Sequence, residues 1–289
     1  MSEIITAPGG GTFPVFGLEV MSQGPVTLRT PPDAPAGTVQ AIGSNLVDSI
    51  QPISIDSTTP FLMSGQGGDD RLSGAAGNDQ ISGGDGKDVI FGNGGDDTVL
   101  GGDADDTISG GSGNDTLFGE SGRDLINGEA GNDVIDGGAG KDRLLGGAGN
   151  DVIVGGRGND VMSGGAGADR LIAGQGFDVL TGGGGRDIYV FGAGSASQLD
   201  KINDFNPKDD TIFLDQSLLP GSGLGKGKLR VRDFKAVDTL TDNTTAKIVY
   251  EKRTGIVFYK PVGGTQIALL QLEKNLPITA ADFRIDSGL

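Results

Sequence analysis

The chain contains no cysteine, no histidine and no tryptophan, and aromatic residues make up only 5% of its 289 positions. Without histidine there is neither an H-E-x-x-H zinc site nor a Ser-His-Asp triad. Without cysteine there is no thiol nucleophile, no zinc finger and no disulfide framework. Positive charge is scarce as well, with 22 Lys and Arg against 39 Asp and Glu, a formal net charge of −17. That balance argues against nucleic acid or an anionic membrane surface as a direct partner. No run of about 18 apolar residues is present, so membrane insertion is not expected. The segment from Met1 to Gly11 has neither the basic n-region nor the apolar h-region of a secretory signal peptide. Any export is therefore expected to use an internal or C-terminal signal.

What the chain has in abundance is glycine, 55 residues of it, and most of that glycine is periodic. From Gly65 the sequence reads in nines, as in GGDGKDVIF, GNGGDDTVL and GGSGNDTLF, for fourteen units without a slip, ending at Val190. The sixth position is Asp in every unit: Asp70, Asp79, Asp88, Asp97, Asp106, Asp115, Asp124, Asp133, Asp142, Asp151, Asp160, Asp169, Asp178 and Asp187. The first and fourth positions are Gly except at Ala173 and Ala104, and the eighth is aliphatic except at Tyr189. A fixed short period of this kind is the signature of a solenoid.

Each position has a physical role. Six glycine-rich residues predict a tight turn, because Gly tolerates positive φ. The next three predict a very short strand whose central side chain points inward. Two units then make one coil of 18 residues, and seven coils stack with parallel strands about 4.8 Å apart into a roll about 34 Å long. The stacking lines up the sixth-position aspartates along two edges. Two carboxylates about 5 Å apart repel by about 0.8 kcal/mol in water and about 3 kcal/mol at an effective dielectric of 20. Summed over roughly a dozen neighbours, that strains the margin of about 5–15 kcal/mol typical of a folded domain. The roll is therefore expected to be unfolded without a cation. Calcium suits the gap, with oxygen ligands at about 2.3–2.6 Å and a liking for carboxylates and carbonyls, whereas magnesium demands a tighter octahedron. The interturn gaps set an upper bound of roughly twelve calcium sites by this coil geometry. The bland alternative is that each Asp merely caps its turn.

The nonapeptide G-G-x-G-x-D-x-U-x carried by residues 65–190 resembles that of the RTX (repeats-in-toxin, haemolysin-type) calcium-binding proteins. The resemblance implies a calcium-filled parallel β-roll, secretion through a type I system, and folding only outside the cell. It also implies that the fourteen sixth-position aspartates are the acidic calcium ligands. The expected fold is all-β: a parallel β-roll of nonapeptide repeats with a C-terminal antiparallel β flanking domain. The repeats carry 22 acidic and 8 basic residues, so self-repulsion holds the calcium-free chain open and transport-competent.

Three segments are expected: residues 1–64 as a Pro-rich extended arm or cap, 65–190 as the calcium-binding roll, and 191–289 as a β cap containing the type I secretion signal. The first holds eight of the twelve prolines and only six charged residues, a pattern of edge-type strands. In the last, KIVYEKRTGIVFYK predicts a hairpin turning at Thr254-Gly255. Asp200, Asp204, Asp209 and Asp210 read as a solvated acidic loop, with a further calcium site as the alternative. Lys87, Arg123 and Arg157 read as solvated turn positions. The outward ninth position is apolar in five of the even units, at Leu100, Phe118, Val154, Ile172 and Val190, but in only two of the odd ones, Phe91 and Leu145. Such a ladder is normally covered, either by the flanks of the same chain or by a neighbouring subunit. No enzyme is expected. The leading reading is a secreted, extracellular or cell-surface structural protein that self-assembles as a homo-oligomer or polymer. The alternatives are a polysaccharide-binding module or adhesin and, last, a small glycan-active enzyme.

Overall fold

Backbone conformation at the glycine-rich positions decides how the coil closes. In a computed structural model, the second and fourth residues of most repeats have positive φ, for example Gly84 (112°) and Gly86 (122°). A Cβ on Gly86 would lie 2.2 Å from the Gly68 carbonyl of the preceding coil. Glycine is needed there both for its dihedrals and for close stacking. The structure describes residues 39–43, 46, 48–52, 58–192, 199–220, 222–224, 226–229, 234–238, 247–261 and 265–286, together with the strands Ile5–Ala7, Gly11–Val15, Leu18–Ser22 and Val26–Arg29. Among the described residues there is no α-helix, and the fold is all-β as expected.

The chain separates into two compact units, Met1–Asp151 and Val152–Leu289. In the first, successive coils pair in parallel with an offset of 18 residues. Val89–Gly94 runs beside Thr107–Ser112 with Ile90 opposite Ile108, and Thr98–Asp103 runs beside Thr116–Ser121 with Val99 opposite Leu117. Odd and even repeats thus build two separate sheets. The strands are longer than the three residues expected. Most run for six, because hydrogen bonding skips the first-position glycine and resumes beyond it, with Asn93 opposite Gly111 and Gly94 opposite Ser112. The inward eighth positions Leu72, Ile81, Ile90, Val99, Ile108, Leu117, Ile126, Ile135 and Leu144 are all buried.

The described N-terminal strands lengthen these sheets at their edges. Val39–Ile42 pairs in parallel with Phe61–Gly67, and Asp48–Pro52 pairs in parallel with Arg71–Ser73. The remaining N-terminal strands add antiparallel neighbours to them.

The second unit continues the same geometry through Val161–Ala166, Arg170–Ile172, Val179–Gly184 and Ile188–Phe191. Two strands beyond the repeats keep the parallel stacking: Asp200–Ile202 beside Val179–Gly184, and Thr211–Asp215 beside Ile188–Phe191. The expected hairpin is present, with Ile248–Glu251 antiparallel to Ile256–Tyr259 and Gly255 at φ 81°. Ile267–Gln271 adds a further antiparallel neighbour. Here the core is aromatic and aliphatic, built on Tyr250, Tyr259, Phe283, Leu270 and Ile248.

Candidate metal centre

All fourteen sixth-position aspartates are buried, none more than 2% exposed. Their burial follows from the coil: residue six ends the turn and residue eight faces the core, so residue six faces the interior as well. One carboxylate oxygen is used in a chain of hydrogen bonds. In the first unit the backbone N–H of an Asp donates to Oδ1 of the Asp one coil later: Asp70 to Asp88 at 2.7 Å, Asp88 to Asp106 and Asp106 to Asp124 at 2.8 Å, Asp79 to Asp97 at 2.7 Å. The second oxygen is different. Oδ2 of Asp70, Asp88, Asp97, Asp106, Asp115, Asp124, Asp133 and Asp178 is buried without a hydrogen-bond partner. A buried, unsatisfied carboxylate oxygen is costly unless something else compensates it.

The electrostatics point the same way. Burial pushes the Asp97 carboxyl up to about 8 and those of Asp70, Asp106, Asp124 and Asp178 up to about 7. Burial is the largest cause in each case. For Asp70, Asp97 and Asp106 the neighbouring aspartates along the column add to it, and backbone N–H donation opposes it. Desolvation therefore outweighs the mutual repulsion on which the sequence argument rested.

Glycine shapes the space around each orphan oxygen. A Cβ on Gly83 would stand 2.1 Å from Asp88 Oδ2 and 2.6 Å from the Gly101 carbonyl oxygen. On Gly92 it would stand 2.3 Å from Asp97 Oδ2 and 2.5 Å from the Gly110 carbonyl. The missing side chain lets the Asp carboxylate and a carbonyl of the next coil close onto the glycine. Carboxylate and carbonyl oxygens are the hard donors that calcium prefers. Among the described residues, no group of three or more carboxylates is placed to hold a metal ion alone. A cation here would be held by Asp Oδ2 together with backbone carbonyls, and would supply the positive charge that lets the carboxylates stay ionised inside the coil.

The columns are longer than the repeat. The Asp48 N–H donates to Asp70 Oδ1 at 2.6 Å, and Asp48 is buried. In the second unit the Asp178 N–H donates to Asp200 Oδ1 and the Asp187 N–H to Asp210 Oδ1, both at 3.0 Å. Asp200 and Asp210 are thus buried column members rather than a solvated loop, whereas Asp209 is exposed. The signal was present as the triplets Asp48-Ser49-Ile50, Asp200-Lys201-Ile202 and Asp210-Thr211-Ile212, which keep Asp-x-Ile but lose most of the flanking glycines. Asp204 plays another part. Its Oδ1 accepts from the buried Tyr189 hydroxyl and from the Gly182 N–H, each at 3.0 Å, closing the last repeat. At the even-edge start, Phe61 takes the aspartate's place, with its N–H donating to Asp79 Oδ1 at 2.7 Å.

The exposed fifth position forms a second ladder that the sequence reading missed. The Asp96 N–H donates to Asn78 Oδ1, Asn114 to Asp96 Oδ1, Asn132 to Asn114 Oδ1, and Asn150 to Asn132 Oδ1, at 2.7–3.0 Å. Lys87 and Arg123 are solvent-exposed as expected, and both pair with Asp105, which holds that carboxyl below its usual range.

Parallel coils and a buried carboxylate in every repeat, many with an unpartnered Oδ2, define a parallel β-roll of the cation-binding type. Residues 64–99, 100–135, 127–162, 136–171 and 163–195 match the family described as RTX calcium-binding nonapeptide repeat (4 copies). The region 64–195 belongs to that family, and calcium is the cation it implies. No curated protein matches the chain.

Proposed function

We propose that this chain is a secreted structural protein in which calcium triggers folding outside the cell, and in which the folded roll self-associates into an extracellular layer, filament or matrix. The observation that carries the calcium half is the set of buried Oδ2 atoms without a hydrogen-bond partner. Extracellular calcium modules work at about 10⁻⁴–10⁻³ M, so the chain stays open inside the cell and closes on export. In this reading, the fourteen sixth-position aspartates supply the carboxylate ligands.

Self-association draws its support from the sheet surfaces. In the first unit Leu100 and Phe118 face outward half-buried, and Leu125 and Val134 are 39% and 42% exposed. In the second, Ile172 is half-buried, and Val161 and Phe177 are 41% and 54% exposed. Single exposed residues such as Leu125, Val134, Val161 and Phe177 are ordinary on a surface, whereas Leu100 beside Phe118 and Val154 beside Ile172 stack in register into short rows of the kind that marks a contact face. The described N-terminal strands lengthen the sheets by edge pairing, which offers no cover for the outward rows of the first unit.

Electron microscopy of the purified chain with and without calcium tests the reading. Ordered polymers are expected only with calcium, and Phe118→Asp combined with Ile172→Asp is expected to abolish them while calcium-driven folding persists. A stable calcium-loaded monomer that binds cell-surface polysaccharide would instead favour an adhesin.

A further inference from the structure

Basic residues are unevenly spread along this acidic chain. Residues 221–260 carry nine Lys and Arg against four Asp and Glu, whereas the rest of the chain carries 13 against 35. In the second unit this stretch supplies the last strand of each sheet. Gly227–Lys228 ends one sheet against Phe283–Asp286, and Phe234–Val237 ends the other against Ile248–Glu251. Each edge carries an exposed lysine, Lys228 on one and Lys235 on the other.

Charge at these edges is not balanced locally. Lys228 stands directly opposite Arg284 in the antiparallel pair, and like charges so placed repel. Lys226 pairs with Asp286 at 3.6 Å and Lys252 with Asp238 at 3.4 Å. Among the described residues, no ion pair reaches Lys228, Lys235 or Arg284. Lysine on a sheet edge discourages the addition of another strand. What the edges offer is therefore positive charge, and the surface that suits them is anionic.

The first unit presents such a surface. In the turns of its odd repeats, Asp69, Asp85, Asp103 and Glu120 are exposed. Asp85 lies in register with Asp103 on the neighbouring strand, and Gly102 with Glu120 on the next. Two basic residues of these turns, Lys87 and Arg123, are both engaged by Asp105. Among the described residues, the four exposed carboxylates form no ion pair. Calcium on the buried columns would leave them ionised, and only a closed coil brings Asp85 beside Asp103.

We propose that the basic sheet edges at Lys228 and Lys235 dock on the acidic odd turns of the first unit in a second copy of this chain. The contact joins two unlike surfaces, and every copy carries one of each, so association continues from copy to copy as a filament. It presupposes the self-association proposed above and adds a contact set by charge rather than by the apolar rows. Calcium dependence follows, because the acidic face exists only in the folded coil.

Electron microscopy and sedimentation of the full chain in saturating calcium test the contact, with circular dichroism to verify that each variant folds. Raising NaCl from about 0.1 M to about 1 M shortens the screening length from about 10 Å to about 3 Å, and the protein concentration needed for filaments is expected to rise about tenfold. Lys228→Glu with Lys235→Glu is expected to lose filaments, and so is Asp85→Lys with Asp103→Lys. An equal mixture of the two variants is expected to recover them, because each then meets a surface of opposite charge on the other. Filaments that persist in both variants and at high salt overturn this contact and leave association through the apolar rows standing. Loss in both variants without recovery in the mixture overturns the pairing of these two surfaces. A wild type that stays monomeric in calcium overturns both readings; if it instead binds the anionic polysaccharide alginate through Lys228 and Lys235, the edges serve a polyanion and not a second copy. Should a variant fail to fold, the salt dependence of the wild type decides alone.

Discussion

The repeats of the first unit and the terminal strands of the second solve the same burial problem with opposite materials. In the repeats, every inward aliphatic side chain is accompanied by a buried carboxylate two residues before it, as Ile108 is by Asp106. In the terminal strands the interior is Tyr250, Tyr259, Phe283 and their aliphatic neighbours, and the two tyrosine hydroxyls donate at 2.7 Å to the Glu273 and Pro220 carbonyls. One interior needs an added ion to be electrostatically complete; the other is satisfied by its own chain. Removing calcium with EGTA therefore separates them. Amide exchange is expected to accelerate by orders of magnitude in Thr98–Asp103 and Thr107–Ser112 while Ile248–Glu251 and Ile256–Tyr259 retain protection. Equal loss in both regions would break the comparison.

Protons are the second way to neutralise the columns, and their effect has a definite sign. Burial raises the Asp97 carboxyl to about 8, Asp70, Asp106 and Asp124 to about 7, and Asp115 to about 6, from an ordinary value of 3.8. Between 3.8 and these values the metal-free folded coil binds more protons than the unfolded chain, so stability falls as pH rises. In EGTA the repeats are expected to be most ordered near pH 4 and to lose β-structure as pH passes through about 6–8. Calcium competes with protons for the same oxygens, so its affinity is expected to drop below about pH 6. Far-UV circular dichroism from pH 4 to 8, with and without calcium, checks both. A metal-free chain equally unfolded at pH 4 and pH 7 would contradict the electrostatic account.

A core truncation in the terminal strands sharpens the contrast from the other side. Phe283 is fully buried and its ring lies 5.3 Å from that of Phe234. Phe283→Ala is expected to destabilise the protein by about 3–5 kcal/mol at saturating calcium. Denaturant melts at rising calcium check whether that loss is fixed, as an apolar cavity requires, or is recovered by more ion.

The roll was legible in the sequence because its constraints repeat: Asp at position six and an aliphatic at position eight recur fourteen times, and both proved buried. The ends were less legible because the constraint there is thinner. Asp48, Asp200 and Asp210 keep the carboxylate and the aliphatic two residues on, but lose most of the glycines that made the motif conspicuous. The six-residue strands were missed because glycine was taken to signal turn alone, whereas the positive φ at Asn93 (76°) bends a strand whose pairing resumes at that residue. The dominance of desolvation over repulsion was not readable at all, since it depends on how completely the coil closes over Asp97 and its neighbours.

The smallest expected effect concerns the exception at position four, and it separates conformational from spatial uses of glycine. Ala104 has φ +85°, in the left-handed region that costs an L-residue about 1–2 kcal/mol. The residue is exposed, and its N–H donates to the Ser121 carbonyl at 2.7 Å, so no packing or hydrogen bond depends on the methyl group. Ala104→Gly relieves the strain but frees the unfolded chain, an offset of about 0.4–1 kcal/mol. The net expectation is a gain of up to about 1 kcal/mol, read as a rise of at most about 4 °C in the melting temperature. The calcium count is expected to stay unchanged, because position four shapes the turn and carries no carboxylate. The reverse substitution, Gly86→Ala, is expected to destabilise, since its added Cβ would also meet the Gly68 carbonyl at 2.2 Å. A loss of stability in Ala104→Gly would show that the alanine is held there by something other than tolerance of strain.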